Sequence, residues 1–136
     1  MNSNLSASCL LASSLLFSSN LAFSNTLHIS KSSQTFVLMN DQGSPVHSGR
    51  VSTGKRGHET PSGTFHVIAK IKHAHSRKYN APMPNYLGFL SSYGVHQGHL
   101  PSRPVGASHG CVRLGSSDSS FLFQNMSMGS TIVISK

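Results

Sequence analysis

The chain has 136 residues, enough for one domain and too few for a second sizeable core. Only 10% of them are charged and Ser, Gly and Asn are frequent, which excludes a helical bundle of Glu, Lys and Leu and points to a loop-rich β body. Eleven Lys plus Arg against three acids (Asp41, Glu59 and Asp118) give a formal charge of +8, so the surface is suited to a polyanion such as nucleic acid, anionic lipid or an anionic wall polymer.

Residues 1–24 carry no charged side chain and contain the apolar run CLLASSLLF, Cys9 to Phe17. That length suits the core of a secretory signal and is too short to span a bilayer. Small residues at Ala22 and Ser24 suit cleavage after Ser24, although no Lys or Arg precedes Lys31. The expectation is a signal peptide over 1–24, a single domain over 25–136, and export to the periplasm or cell envelope. Cys9 lacks lipobox residues before it, which argues against a lipid anchor. Cleavage leaves Cys111 as the one cysteine, unable to form an internal disulfide and so a candidate reactive group.

Along the mature chain, Leu27 to Ser30 alternates apolar and polar, and Thr35 to Met39 is a short buried-strand pattern. The turn signal NDQG at 40–43 joins it to a strand over Val46 to Thr53, predicting a hairpin over 35–53. Gly54, Gly57, Gly63 and Pro61 mark a loop. Thr64 to Lys72 reads as one half-buried strand, with Phe65, Val67, Ala69 and Ile71 on its inner face. Residues 73–86 lack periodicity and carry two prolines, so they read as a loop. Leu87 to Val95 is apolar and glycine-punctuated and leads into His96 at a strand end. SSDSSFLFQNM, from Ser116, reads as the single helix, capped by Ser116 or Ser117 with Asp118 at its positive end. Gly129 ends it and Thr131 to Ser135 is a closing strand, giving about six strands and one helix. The cations are scattered, as at Lys55-Arg56, Lys70, Lys72 and Arg77-Lys78, and no block of like charge suggests a nucleic-acid arm.

VGASHGCVRLGSSD, 105–118, sets Cys111 among small and polar residues, where a structural thiol would favour apolar neighbours. It reads as a metal ligand or a nucleophile. A structural zinc site would need three histidines beside the one cysteine, and no H-x(3–5)-H pair lies near Cys111. A nucleophilic thiol needs its proton removed, which calls for a base or a positive charge close by. His96 is fifteen positions earlier, at a span that can return to the sulfur. His109, two residues before Cys111, points the same way in an extended segment. The carbonyl of Gln97 could hold the imidazole Nδ1–H. Backbone N–H groups of Gly110 and Cys111 could receive an oxyanion, and Arg113 could bind a substrate carboxylate.

The segments VSTGKRGHETPSGTF (51–65), MPNYLGF (83–89), YGVHQG (93–98) and SHGCVRL (108–114) occur in the order found in L,D-transpeptidases with the YkuD-type catalytic domain, which the chain resembles over about residues 35–136. The resemblance implies a mainly β fold, a compact β-sandwich of mixed sheets with one short helix after the cysteine segment. It implies a cysteine acyl-enzyme on the tetrapeptide stem of peptidoglycan, with no metal and no cofactor. Cys111 matches the nucleophile and His96 the general base, with Gln97 orienting it. Ser108, His109, Gly110 and Arg113 match residues that shape the oxyanion and substrate pocket. The product would be a 3→3 crosslink or a protein attached to the wall. The alternatives are an L,D-carboxypeptidase of the same fold and a non-catalytic basic wall-binding module. The partners expected are stem peptides and an anionic wall polymer, with no nucleic acid, no stable membrane span and a monomeric chain. A stretch rich in His, Lys and Arg at 73–81 departs from the family pattern.

Overall fold

A computed structural model describes residues 24–136. The expected signal segment therefore lies, Ser24 apart, outside the described residues. Nine strands and one helix follow in the order β1 (Thr26–Ser30), β2 (Thr35–Met39), β3 (Pro45–Ser52), β4 (Gly63–His66), β5 (Ala69–Ser76), β6 (Ala81–Leu90), β7 (Tyr93–Gln97), β8 (Val112–Leu114), α1 (Ser116–Asn125) and β9 (Thr131–Ser135). They form one mixed sheet in the order β4-β9-β1-β2-β3-β8-β7-β6-β5. The pairs β1–β9 and β7–β8 are parallel, and the others are antiparallel.

The chain connectivity forces this sheet to curl. β4 and β5 stand at opposite ends of the strand order, yet only Val67 and Ile68 separate them. Three Cα–Cα steps reach at most about 11 Å, whereas eight strand spacings across a flat sheet come to about 38 Å. The two halves must therefore face each other, and the expected sandwich is one sheet folded over. The seam is sewn by Val67 N–H donating to Ser130 O at 2.9 Å and Ile68 N–H to Gly88 O at 2.8 Å. Phe65 of β4 and Phe89 of β6 pack across it with ring centroids 5.1 Å apart.

The core follows from the period-2 alternation of the strands. Leu27 and Ile29 of β1, Phe36 and Leu38 of β2, and Ile132 and Ile134 of β9 all point inward and are almost wholly buried. Val95 of β7 and Val112 and Leu114 of β8 carry the same cluster into the other half, and Leu122 of α1 and Met126 at its C-cap cover it. The hairpin expected over 35–53 is β2–β3, and the closing strand is β9.

Three sequence expectations need correction. The single strand expected over 64–72 is broken at the seam, so Val67 is buried while Ile71 is exposed. The stretch 73–86, expected as loop, forms the β5–β6 hairpin instead. Its prolines conceal it from sequence reading. Pro82 and Pro84 pair with β5 at His75 and His73, but the β6–β7 ladder starts only at Leu87, so a missing N–H on that side costs no ladder bond. Finally, Gly115 stands at the helix N-cap with no side-chain cap bond, so neither Ser116 nor Ser117 caps α1. Asp118, in the first turn, bonds His47 Nε2 of β3 at 2.7 Å, and His47 stacks on Phe121.

The other end of α1 has no basic residue in its last turn. Lys70 of β5 supplies one from outside. Its Nζ donates to Phe123 O and Met126 O, both at 2.7 Å, and lies 4.5 Å from the Phe123 ring centroid. These carbonyls are the unsatisfied acceptors and the negative pole of the helix. Lys70→Met, which keeps the apolar stem, should therefore lower stability by about 1–2 kcal/mol. Urea titration should show a lower midpoint at unchanged slope, and an unchanged midpoint would refute the assignment.

Candidate active site

The site grows from the parallel β7–β8 ladder, in which His96 stands opposite Arg113, one step beyond the Val95–Val112 pair. Cys111 immediately precedes β8, so the ladder delivers thiol, imidazole and guanidinium to one wall of a cleft of about 910 Å³. His58 of the 54–62 loop and Tyr79 at the β5–β6 turn line the same cleft.

His96 is buried, and its Nδ1 is 2.7 Å from Gln97 O, so Nδ1 carries the proton and donates it there. Burial holds its pKa below the usual imidazole value; the Gln97 bond pulls upward and the Arg113 charge pushes further down. The ring is thus neutral at physiological pH with a basic lone pair on Nε2. Burial raises the Cys111 thiol pKa above the ordinary cysteine value, with the Gly94 N–H and Arg113 acting in the opposite sense. Its S–H donates to Ser92 O at 3.7 Å. The sequence reading asked for a thiol shifted towards thiolate. The thiol's hydrogen bond goes to Ser92 O, and burial favours the uncharged form of both Cys111 and His96.

The Ser108–Cys111 turn is held by its own polar groups. Ser108 is buried, donates its hydroxyl to Cys111 O and accepts Gly110 N–H at 3.1 Å. Its backbone bonds Thr53 and Lys55. Ser108 thus braces the turn, and the Gly110 N–H, expected to receive an oxyanion, is already engaged. Gly110 has φ +132°, and a Cβ there would sit 2.7 Å from the Tyr93 ring, so only glycine fits.

His109 is exposed at the cleft rim, stacked on Tyr79 at 4.0 Å and edge-on to His58 at 5.3 Å. Local desolvation, then the charges of Lys55, His58, Arg113 and Lys78, lower its pKa. Arg113 has no ion-pair partner among the described residues. Its side chain packs over Gly98, where a Cβ would come within 2.9 Å of it. Glu59 is the one acid lining the cleft among the described residues, and its carboxylate accepts Gly57 N–H at 2.9 Å. The cleft is therefore suited to an anionic ligand. Among the described residues no three His, Cys, Asp or Glu side chains group as metal ligands.

Against this fold and wall, three comparisons agree. The model of the L,D-transpeptidase catalytic domain, YkuD, matches residues 24–134. The chain belongs to this L,D-transpeptidase family. The L,D-transpeptidase of Stackebrandtia nassauensis superposes with a TM-score of 0.77 at 28% identity, over 83% of this chain and 56% of its own. The Mycobacterium smegmatis enzyme shares the fold, with a TM-score of 0.77 at 22% identity over 84% of this chain and 59% of its own. The curated Bacillus subtilis relative YqjB is 28% identical over 76% of this chain and 66% of its own length. The present chain thus spans from just over half to about two thirds of these L,D-transpeptidases. No helix among its described residues is long and apolar enough to cross a membrane.

Sequence reasoning missed Tyr86, His58 and Tyr79 as parts of this L,D-transpeptidase cleft. Tyr86 lies in the quoted MPNYLGF segment, and its ring rests where a Cβ on Gly94 would collide. Burial, then the Cys111 charge, raise its pKa and keep the phenol protonated. The pairing of Tyr86 with glycines at 88 and 94 was the available signal. Alkylation of Cys111 by iodoacetamide should rise with pH along a curve on the alkaline side of a free cysteine. Mass spectrometry of the Cys111 peptide checks this, and a curve on the acid side would establish a thiolate–imidazolium pair instead.

Proposed function

We propose that the chain is a cysteine acyltransferase of the cell envelope that transfers peptidoglycan stem peptides, with Cys111 as nucleophile and His96 as base. The observation carrying this reading is a buried imidazole, its tautomer fixed by Gln97 O, lining the same cleft as the Cys111 thiol and a guanidinium that has no ion-pair partner among the described residues. As the Cys111 Sγ attacks the stem carbonyl, Nε2 of His96 takes the thiol proton and the Cys111 N–H receives the oxyanion. Collapse breaks the carbon–nitrogen bond, His96 returns the proton to the leaving amine, and a thioester remains. An acceptor amine then gives a crosslink and regenerates the thiol, whereas water gives the carboxypeptidase product.

Family members cleave between the L-centre of diaminopimelate and D-Ala, and both groups offer carboxylates to a bidentate fork such as Arg113. Residues 1–24 are read as a secretory signal, in keeping with an extracytoplasmic substrate. A non-catalytic wall-binding module predicts binding without acylation.

Intact-mass analysis with a carbapenem and turnover of tetrapeptide stems test the reading together. Cys111→Ala should abolish both, and His96→Ala should slow acylation by about 10²-fold or more. Retention of either activity by Cys111→Ala would remove the thiol from the mechanism. Arg113→Lys should weaken catalysis on stems with a free carboxylate by about 1–3 kcal/mol relative to an amidated analogue. Equal losses on both substrates would instead make Arg113 a brace of the loop.

A further inference from the structure

The backbone of Gly110 and Cys111 offers two N–H and two C=O groups, and each must find a partner or face the cleft. Three are engaged within the protein. Gly110 N–H goes to Ser108 Oγ, Cys111 O accepts the same hydroxyl, and Gly110 O accepts Thr60 Oγ1 at 2.7 Å. No described residue accepts the Cys111 N–H. Thr60 is wholly buried, fifty residues from the turn it bonds. Its hydroxyl also accepts Gly54 N–H at 2.9 Å, and its own carbonyl is held by Lys31 Nζ at 2.7 Å. The group is thus fixed from three sides.

In a trans peptide the C=O and the following N–H point in opposite directions. The Gly110 carbonyl is drawn into the interior by Thr60, so the Cys111 N–H of the same peptide plane is turned outward, towards the cleft that Cys111 lines. We infer that Thr60 is a positioning residue that aims the Cys111 N–H at the developing oxyanion. It touches neither substrate nor thiol and acts through one peptide plane. The Gly110 N–H cannot substitute for the aimed donor while it is bonded to Ser108. This inference rests on the reading of Cys111 as nucleophile.

Two reagents at the same sulfur separate aiming from mere structure. A carbapenem acylates through a tetrahedral oxyanion; iodoacetamide alkylates by displacement of iodide and develops none at a carbonyl carbon under attack. In purified full chain, Thr60→Val should slow carbapenem acylation about 10²-fold, the scale of one lost oxyanion donor, while iodoacetamide alkylation stays within about threefold of the parent. Thr60→Ser keeps the hydroxyl and should hold the ratio of the two rates near the parent value, which also tests the inference should Thr60→Val fail to fold. Equal slowing of both reactions in Thr60→Val, no slowing of either, or a tenfold fall of the ratio in Thr60→Ser overturns it. If the parent chain is alkylated at Cys111 but never acylated, the nucleophile reading beneath it fails first, and the two failures are distinguishable.

Discussion

The parallel pairing of β7 with β8 is the constraint on which the cleft depends, because it sets His96 beside Arg113 and brings Cys111 to the strand entrance. Parallel neighbours cannot be joined by a tight turn. The chain must leave β7 at Gln97 and return at Val112, and the crossover that results carries the turn from Ser108 to Cys111. The site is thus built where the topology obliges the backbone to travel. The β5–β6 turn and the 54–62 loop complete the lining of the same cleft.

Electrostatics in this cleft act through burial before they act through charge. For both Cys111 and His96 the leading effect favours the uncharged form, and the Arg113 guanidinium is secondary. Two groups held in their uncharged forms store no separated charge in the resting cleft. The same guanidinium that opposes protonation of His96 favours the thiolate, which makes Arg113 asymmetric in its influence on the two partners.

Legibility from sequence followed the range of the interactions. Strands with strict alternation and clear turns, such as β2, β3 and β9, are placed correctly because their cues are local. Cys111 and His96 stand out in the sequence because their motifs are specific, and both line the cleft. What escaped was decided by distant partners. The hairpin of β5 and β6 hides behind prolines whose cost depends on where β7 begins to pair. Helix capping by Lys70 comes from a separate strand, β5, far back in the chain from α1. The availability of an N–H at Gly110 depends on the rotamer of Ser108, which no spacing rule reveals.

The acceptor that fixes the tautomer of His96 belongs to the peptide backbone of Gln97, and no codon specifies a peptide carbonyl. Position 97 can therefore drift in sequence without disarming the imidazole, so long as β7 stays paired. A carboxylate in that place would be lost by a single substitution and neutralised by acid; an amide oxygen is exposed to neither hazard. Inheritance of the orientation passes instead to the residues that hold the strand, Val95 and Val112 foremost, so a misaimed imidazole would arise from apolar positions with no chemistry of their own.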